Sequence, residues 1–284
     1  MSVPALMLCN TFVHLPGIGA IRERELWKRG ILEWDHFLEA TSEGLLRGRT
    51  YGDAIHAVEQ SLDALNAHDI GFFRALLPEQ EIWRVYPQFA SEALFLDIET
   101  TGLAAADHEV TMIATCNSGR RALFVNGINL DAFPEYVARF PLLVTFNGCQ
   151  FDLPFLRTHF PNARLDQTHV DLRFVLASLG YQGGLKAVEH AFGMRRDAAI
   201  QGLTGFEAAR LWYCYRHGEH AALETLALYN LTDAVHLARL MTIAVELKTR
   251  QLKFPGHLTM HENPLQIKSC QEYLAEWFVQ HRDF

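Results

Sequence analysis

Cysteines are few and follow no pattern that builds a structural framework. The chain has five in 284 residues, with no C-x-x-C pair among them. Their odd number and irregular spacing predict neither a disulfide framework nor a zinc site. Cys149 has no histidine at a sequence spacing that indicates a hydrogen bond, so a catalytic thiol is not expected. The five are Cys9, Cys116, Cys149, Cys214 and Cys270.

Long apolar runs are absent as well. No stretch is long enough to cross a bilayer, and the start MSVPALMLCNTF lacks the basic segment of a signal peptide. These absences favour a cytoplasmic protein without a membrane partner. Hydrophobic residues still make up 49% of the chain, which is enough for one full core and a small satellite.

Positive charge is in deficit. The net charge is −8, and phosphate binding depends mainly on lysine and arginine, so a general nucleic-acid coat is not expected. A local basic groove is compatible with this charge when the acidic residues cluster elsewhere. Five arginines could line such a groove, although most of them are expected to lie on the solvated surface. They are Arg157, Arg164, Arg173, Arg195 and Arg196.

The first of three acidic motifs is LFLDIETTGL. Its apolar run begins at Ala93 and is typical of a strand covered on both faces. Because side chains alternate along a strand, Asp97 and Glu99 point to one face, where they can share a cation. Thr101 and Gly102 then end the strand. The alternative is a pair of solvated acids at a capped strand end.

The second motif, FNGCQFDLPFL, follows a predicted strand over Leu142 to Phe146. Asn147-Gly148 predicts a turn, and Pro154 suits the first turn of a helix. Asp152 falls at the start of that helix, where the helix dipole favours an anion. An acid that only stabilises the helix is therefore the alternative.

The third motif, YNLTD, lies on a helix predicted from about Glu219 to Leu247, a stretch without glycine or proline. Apolar residues recur there at spacings of three and four, in a stripe that includes Tyr229 and Asp233. These two residues are one turn apart on the face directed at the core. A packed tyrosine and an aspartate paired with an arginine are the alternatives.

The three motifs together predict a metal site. Each places a carboxylate where the local pattern predicts burial, and a buried carboxylate is costly unless a cation or a proton accompanies it. Four such groups indicate bound divalent metal. Oxygen-only ligands suit Mg²⁺ or Mn²⁺ rather than Zn²⁺.

The order Asp-x-Glu, Asn-x-x-x-Phe-Asp and Tyr-x-x-x-Asp resembles the three exonuclease motifs of the DEDD superfamily. The sequences of the first two motifs, DIET and FNGCQFDLPFL, are particularly similar to those of the proofreading domains of family B DNA polymerases. With its N-terminal helical module the chain looks most like the YprB-type ribonuclease-H-like proteins. The resemblance covers about residues 90 to 245. It implies an α/β fold, a ribonuclease-H-like mixed β-sheet flanked by helices, with a small all-α N-terminal module.

The resemblance also implies a two-metal-ion-dependent 3′-to-5′ exonuclease that hydrolyses phosphodiester bonds at single-stranded DNA or RNA ends. Asp97 would bridge two Mg²⁺ or Mn²⁺ ions, Glu99 and Asp233 would help hold the one that activates water, and Asp152 would support the other. Tyr229 would orient the attacking water. The alternatives are a non-catalytic nucleic-acid-binding protein on the same fold and a structure-dependent endonuclease.

Substrate contacts follow from the resemblance too. Thr100, Asn147 and Phe151 belong to the motifs, and Lys186 in GGLKAVE is similar to family segments that lie beside the nucleic-acid groove. A solvated lysine is the alternative for Lys186. Asp171 precedes a helical pattern, and a helix cap is favoured over a metal role for it.

The remaining pattern predicts the rest of the domain. Val110 to Cys116 and Ala122 to Val125 are predicted as a hairpin of two strands. Helices are then predicted near residues 131–140, 172–179, 185–192 and 206–215.

The chain is predicted to have three parts: a helical module over 1–88, a ribonuclease-H-like exonuclease domain over 89–248, and a C-terminal extension over 249–284. Pro-Gly-Ile-Gly before a helix at Ala20 resembles the helix-hairpin-helix motif, in which Gly17 and Gly19 would let backbone N–H groups approach a phosphate. The alternative is a hairpin that only packs on the nuclease domain. The extension is predicted as a loop, KFPGHLTMHENP, and one helix over Leu265 to Val279.

Overall fold

The computed structural model describes residues 7–118, 120–256 and 268–281. The chain divides into two compact units, one formed by Met1–Ala90 with Ile243–His261 (unit 1) and the other by Ser91–Thr242 with Glu262–Phe284 (unit 2). Most of the predicted KFPGHLTMHENP loop, from residue 257 onward, lies outside the described residues. The domain boundaries predicted near residues 88 and 248 remain predictions.

Unit 1 is helical in its N-terminal part. Residues 7–17 form mainly turns, and the predicted helix at Ala20 is confirmed. A 3₁₀-helix over Glu79–Val85 lies between the fourth and fifth α-helices. The α-helices are α1 (Ala20–Lys28), α2 (Trp34–Ser42), α3 (Arg49–Asn66), α4 (Ile70–Leu76) and α5 (Tyr86–Phe89).

A buried ion pair fixes the start of unit 1. Arg84 Nη1 lies 2.8 Å from Glu23 Oε1, and both side chains are buried. The same oxygen accepts a hydrogen bond of 2.7 Å from the Phe12 backbone N–H. Glu23 on α1 therefore holds the preceding turns to the 3₁₀-helix, and the pairing offsets the cost of burying both charges.

Unit 2 is built on a five-stranded mixed sheet of order β3-β2-β1-β4-β5. The pairs β1–β2 and β2–β3 are antiparallel, while β1–β4 and β4–β5 are parallel. This sheet confirms the predicted α/β fold, including the β2–β3 hairpin. The strands are β1 (Ala93–Thr100), β2 (Val110–Asn117), β3 (Arg120–Val125), β4 (Leu142–Thr145) and β5 (Thr168–Asp171).

Helices cover the sheet, and the second half of unit 2 is mostly helical. The longest helix passes from unit 2 into unit 1 at Ile243. No helix in the described ranges combines the length and the apolar character that a membrane span requires. The helices are α6 (Phe133–Val137), α7 (Asp152–His159), α8 (Leu172–Ala177), α9 (Leu185–Ala191), α10 (Gly205–Arg216), α11 (His220–Leu252) and α12 (Lys268–Gln280), with a 3₁₀ turn at Leu130–Ala132.

The alternation of β1 decides where the core ends and the polar site begins. Leu94, Leu96 and Ile98 pack into an apolar cluster with side chains of α6 and α7. The intervening residues point to the opposite face of the sheet. On that side Cys116 of β2 donates a hydrogen bond of 3.3 Å to the Ala234 carbonyl of α11. The long helix therefore lies over the acidic face of β1.

Candidate metal centre

β1 and α11 bring three carboxylates together. Asp97 and Glu99 share one face of β1, and Asp233 comes from α11. One ligand oxygen from each of the three lies within 4.8 Å of the others. Asn230, one turn before Ala234 on α11, donates a hydrogen bond of 2.6 Å from Nδ2 to Asp97 Oδ2. The amide therefore orients the Asp97 carboxylate.

Asp152 enters from the turn between β4 and α7. A Cβ on Gly148 would lie 2.0 Å from Thr145 Oγ1, so only glycine fits this tight turn. Asp152 is the first residue of α7 and is buried. Among the described residues it stands outside the close trio, but its charge contributes to raising the pKa of Asp97. Asp152 is thus an electrostatic neighbour of the trio.

All four carboxyl groups resist ionisation. Burial raises the pKa of Asp97 and Glu99 well above the ordinary range, and the neighbouring carboxylates raise both further. Burial also raises the pKa of Asp152 to about 7. Burial raises the pKa of Asp233 to about 6, although the positive charge of Arg196 opposes the rise. Such a cluster is stabilised in its charged form by a cation.

The donor set fits a divalent metal ion. Asp233 Oδ1 is buried, and Arg196 Nη2 lies 2.5 Å away as its ion-pair partner. Carboxylate oxygens without sulfur or imidazole are the ligands that Mg²⁺ and Mn²⁺ prefer. The cluster can therefore hold such a cation, with Asp97, Glu99 and Asp233 as its nearest ligands.

Arg196 is part of this site. The sequence-based expectation of a solvated surface position is therefore wrong for this residue. Its guanidinium makes two hydrogen bonds of 2.7 Å to the carboxylate of Glu189 on α9. Glu189 Oε1 also lies 2.9 Å from His236 Nδ1 on α11. Glu189 belongs to none of the three acidic motifs, although it follows Lys186 by one helical turn and so shares its face. No periodic pattern distinguishes Arg196 from its neighbour Arg195.

Lys186 lies beside Tyr229 and is partly buried. Its Nζ donates a hydrogen bond of 2.7 Å to the Tyr229 hydroxyl and also donates to the Leu203 carbonyl. Burial lowers the pKa of Lys186, although the charge of Asp233 opposes this. Burial and the carboxylates of Asp233 and Glu99 raise the pKa of Tyr229, so its hydroxyl stays protonated. The lysine and the tyrosine therefore form a hydrogen-bonded pair at the edge of the carboxylate cluster.

Three residues expected to contact substrate have local partners. The Thr100 hydroxyl donates to the Gly102 carbonyl at 2.6 Å. Asn147 Oδ1 accepts a hydrogen bond from Arg173, and Asn147 has a left-handed backbone with φ 68°. Phe151 is half-buried, with its ring 4.9 Å from that of Phe155.

The glycines of the predicted phosphate-binding turn lie in unit 1. Gly17 has φ 71°, and a Cβ there would lie 2.9 Å from Thr50 Cγ2. Gly19 is the N-cap of α1, is exposed, and has open space where a Cβ would project. The start of α1 is thus accessible to solvent.

The fold and the carboxylate cluster define the class of protein. The profile of the RNase_H superfamily matches residues 94–245, a little over half of the chain, and the chain belongs to this superfamily. No curated protein matches the chain.

Two solved structures are similar in fold. One is a family B DNA polymerase from the hyperthermophilic archaeon Pyrobaculum calidifontis, with 19% identity and a TM-score of 0.43 over 56% of this chain. The match spans only 24% of that polymerase. The other is NrnC from Brucella melitensis with bound Mg²⁺, with 16% identity and a TM-score of 0.40 over 68% of this chain and 87% of NrnC.

Proposed function

We propose that this protein is a metal-dependent 3′-to-5′ exonuclease that hydrolyses phosphodiester bonds at single-stranded DNA or RNA ends. The observation that supports this most strongly is the convergence of Asp97, Glu99 and Asp233 within 4.8 Å, with Asp152 as a charged neighbour. A chain of the RNase_H superfamily with these groups has the ligands for a hydrolytic metal centre. Their raised pKa values fit ligands that ionise fully when a cation binds.

Each carboxylate has a defined part in this proposal. Asp97, oriented by Asn230, would lie between two Mg²⁺ or Mn²⁺ ions, with Glu99 and Asp233 on one of them and Asp152 on the other. When bound, such ions supply charge neutralisation at the phosphate and activation of water. Arg196 keeps Asp233 paired through its guanidinium and would yield part of that contact to a cation.

The hydroxyl of Tyr229 would orient the water that attacks phosphorus, and Lys186 would hold that hydroxyl through its 2.7 Å hydrogen bond. Attack forms one P–O bond and breaks the bond to the 3′ oxygen, which leaves with a proton as the new 3′ hydroxyl. The products are a nucleoside 5′-monophosphate and a chain shortened by one nucleotide.

Substrate would approach past Phe151 and Asn147, with Thr100 near the end of β1. Aromatic rings stack on bases of single strands without sequence preference, and Phe151 is half-buried. Lys186 would supply the positive charge close to the scissile phosphate. In unit 1, the accessible start of α1 after Gly17 and Gly19 would hold a second phosphate through backbone N–H groups, as in a helix-hairpin-helix motif.

The first prediction tests the metal centre. Asp97→Ala should abolish hydrolysis while the protein stays folded, because the substitution removes the central ligand and relieves carboxylate repulsion. Excess EDTA should abolish wild-type hydrolysis equally. The assay uses end-labelled single strands of DNA and RNA, free or blocked at the 3′ end, with Mg²⁺ or Mn²⁺. Asp107→Ala, which removes an exposed carboxylate of the β1–β2 loop, is the matched control.

The product pattern separates the alternatives. Mononucleotides released only from free 3′ ends support the exonuclease. Internal fragments from end-blocked strands indicate an endonuclease, and binding without cleavage indicates a non-catalytic protein. Undiminished cleavage by Asp97→Ala would contradict the proposed metal site.

A further inference from the structure

A second cluster of ligand side chains lies at the ends of β4 and β5. Cys149 Sγ is 3.5 Å from His169 Nδ1, and one ligand atom each of Cys149, His169 and Asp171 lies within 4.8 Å of the other two. Parallel pairing places Thr145 opposite Asp171, so the turn after β4 meets the end of β5. Residues twenty positions apart in sequence are thereby brought into contact.

Hydrogen bonds fix two of the three side chains. The Asp171 carboxylate accepts from the backbone N–H groups of Asn147 at 2.7 Å and Cys149 at 3.1 Å, and it caps α8 by accepting from Arg173 at 3.1 Å. This confirms the predicted cap. Asp171 Oδ1 takes two of these bonds and Oδ2 takes one, so an acceptor position remains on Oδ2 for a cation.

The imidazole of His169 is held by its other nitrogen. His169 Nε2 lies 2.9 Å from Thr145 Oγ1, which also accepts from the Gly148 backbone N–H at 3.1 Å. In the tautomer with the proton on Nε2, His169 donates to Thr145 Oγ1 and the lone pair of Nδ1 points toward Cys149 Sγ. Metal-binding histidines are commonly oriented by such a hydrogen bond from the second ring nitrogen.

We propose that Cys149, His169 and Asp171 bind one soft divalent cation, with Zn²⁺ as the best fit. Zinc bonds of about 2.3 Å to sulfur and about 2.05 Å to nitrogen, at a tetrahedral angle, require a sulfur-to-nitrogen distance of about 3.6 Å. The observed distance is 3.5 Å. Sulfur and imidazole ligands select Zn²⁺ over Mg²⁺, so this site is chemically distinct from the carboxylate centre.

The site has an entry path and a structural consequence. Cys149 is exposed, so the cation reaches it from solvent. Binding forms a metal–sulfur bond and releases the thiol proton to solvent. The bound ion would link β5 to the turn that leads into α7 and Asp152, the residue whose pKa the charge of Asp171 helps to raise. Zinc would thereby fix the position of that turn.

Cobalt absorption tests the proposal independently of hydrolysis. Co²⁺ is titrated into the reduced, metal-free full chain, and the thiolate-to-cobalt charge-transfer band is followed. We expect a band that saturates at one Co²⁺ per chain and disappears when Zn²⁺ is added. Asp97→Ala should retain it, because carboxylate-bound cobalt gives no such band.

Variants assign the ligands. Cys149→Ser should abolish the band, and His169→Gln should weaken cobalt binding at least tenfold. Cys214→Ser on α10 is the matched control and should retain the band. No band in the wild type means that Cys149 and His169 form only a hydrogen bond, and a band that persists in Cys149→Ser places the metal elsewhere. Either result overturns the proposal, whether or not the protein is an exonuclease.

Discussion

At the scale of single residues, Tyr229 has two possible roles that one substitution distinguishes: a catalytic hydroxyl and a ring that only packs. Its hydroxyl accepts a hydrogen bond from Lys186, and its ring is buried. Tyr229→Phe keeps the ring and removes only the oxygen. We expect kcat to fall about a hundredfold with KM nearly unchanged, because the hydroxyl would act on the attacking water and not on substrate binding.

Steady-state rates at saturating Mg²⁺ measure this effect. Tyr213→Phe is the matched control, because Tyr213 on α10 is exposed and the same atom is removed. Its rate should equal that of the wild type. Equal rates for all three proteins would show that Tyr229 only packs.

His14 carries a pH-dependent contribution to stability. Burial, aided by the charge of Arg84, lowers the pKa of His14 from 6.5 to about 3. The folded state therefore holds the imidazole neutral, while the unfolded chain protonates it below pH 6.5. The stabilisation from the neutral ring is complete above pH 6.5 and is lost as pH falls toward about 3.

His14→Phe should remove this acid sensitivity. The ring lies among Trp34 and Phe73, with centroids 5.5 and 6.1 Å away, so a phenyl group suits the site. The free energy of unfolding, measured in urea at about pH 7 and about pH 5, should fall less with decreasing pH in the variant than in the wild type. The difference between the two proteins is at most about 1.4 kcal/mol per pH unit. His36→Gln, at an exposed position, should behave as the wild type does. An identical pH slope for His14→Phe would contradict the buried neutral imidazole.

At the scale of elements, periodic segments were predictable and short polar ones were not. β1 and α11 each have a clear period, so the shared face of Asp97 and Glu99 and the stripe of Asp233 could be read from the sequence. β5 has four residues, three of them polar, and it forms only by parallel pairing with β4. The contact of Cys149 with His169 depends on that pairing. Local patterns therefore could not indicate it.

The buried network of Arg196 connects the loop after α9 with α9 and α11. Arg196 pairs with Glu189 and Asp233, and both contacts are almost fully shielded from solvent. In metal-free protein, Arg196→Met should lower the free energy of unfolding by about 3–5 kcal/mol, because it leaves two buried carboxylates without their cation. Mg²⁺ should then stabilise this variant more than the wild type, since a metal ion replaces the missing charge at Asp233.

Urea unfolding in EDTA and in Mg²⁺ measures both effects. Arg195→Met is the matched control, because Arg195 is exposed, and it should change stability by no more than about 0.5 kcal/mol. Similar losses for the two variants would show that the network contributes no more than a surface charge does.

At the scale of the whole molecule, the division into two units limits which experiments are informative. Unit 1 combines the N-terminal segment with the distant segment Ile243–His261, and its Trp27 packs against Phe254 with ring centroids 5.2 Å apart. Deleting residues 1–88 would expose Phe254 and confuse folding with binding. The continuous helical pattern of α11 gives no sequence signal for the change of unit at Ile243. Point variants in the full chain therefore test unit 1 better than deletion does.

The last prediction concerns phosphate binding by unit 1. Gly19 has an ordinary φ of −94° and open space for a side chain, so Gly19→Val should fold normally. If backbone N–H groups there hold a phosphate, the valine obstructs it. The Kd for single strands should then rise several-fold and equally for every sequence, because phosphate contacts carry no base information.

The salt dependence of binding provides the charge-based arm of the same test. Replacing the exposed Lys28 and Arg29 together by Gln should reduce the slope of log K against log salt by about one unit for each lost contact. Arg139→Gln with Arg210→Gln makes the same change of net charge at exposed positions of unit 2 and is the matched control. Catalysis at saturating substrate should survive all of these changes, because none touches the carboxylates. Wild-type Kd and slope in the unit 1 variants would show that this unit does not hold nucleic acid.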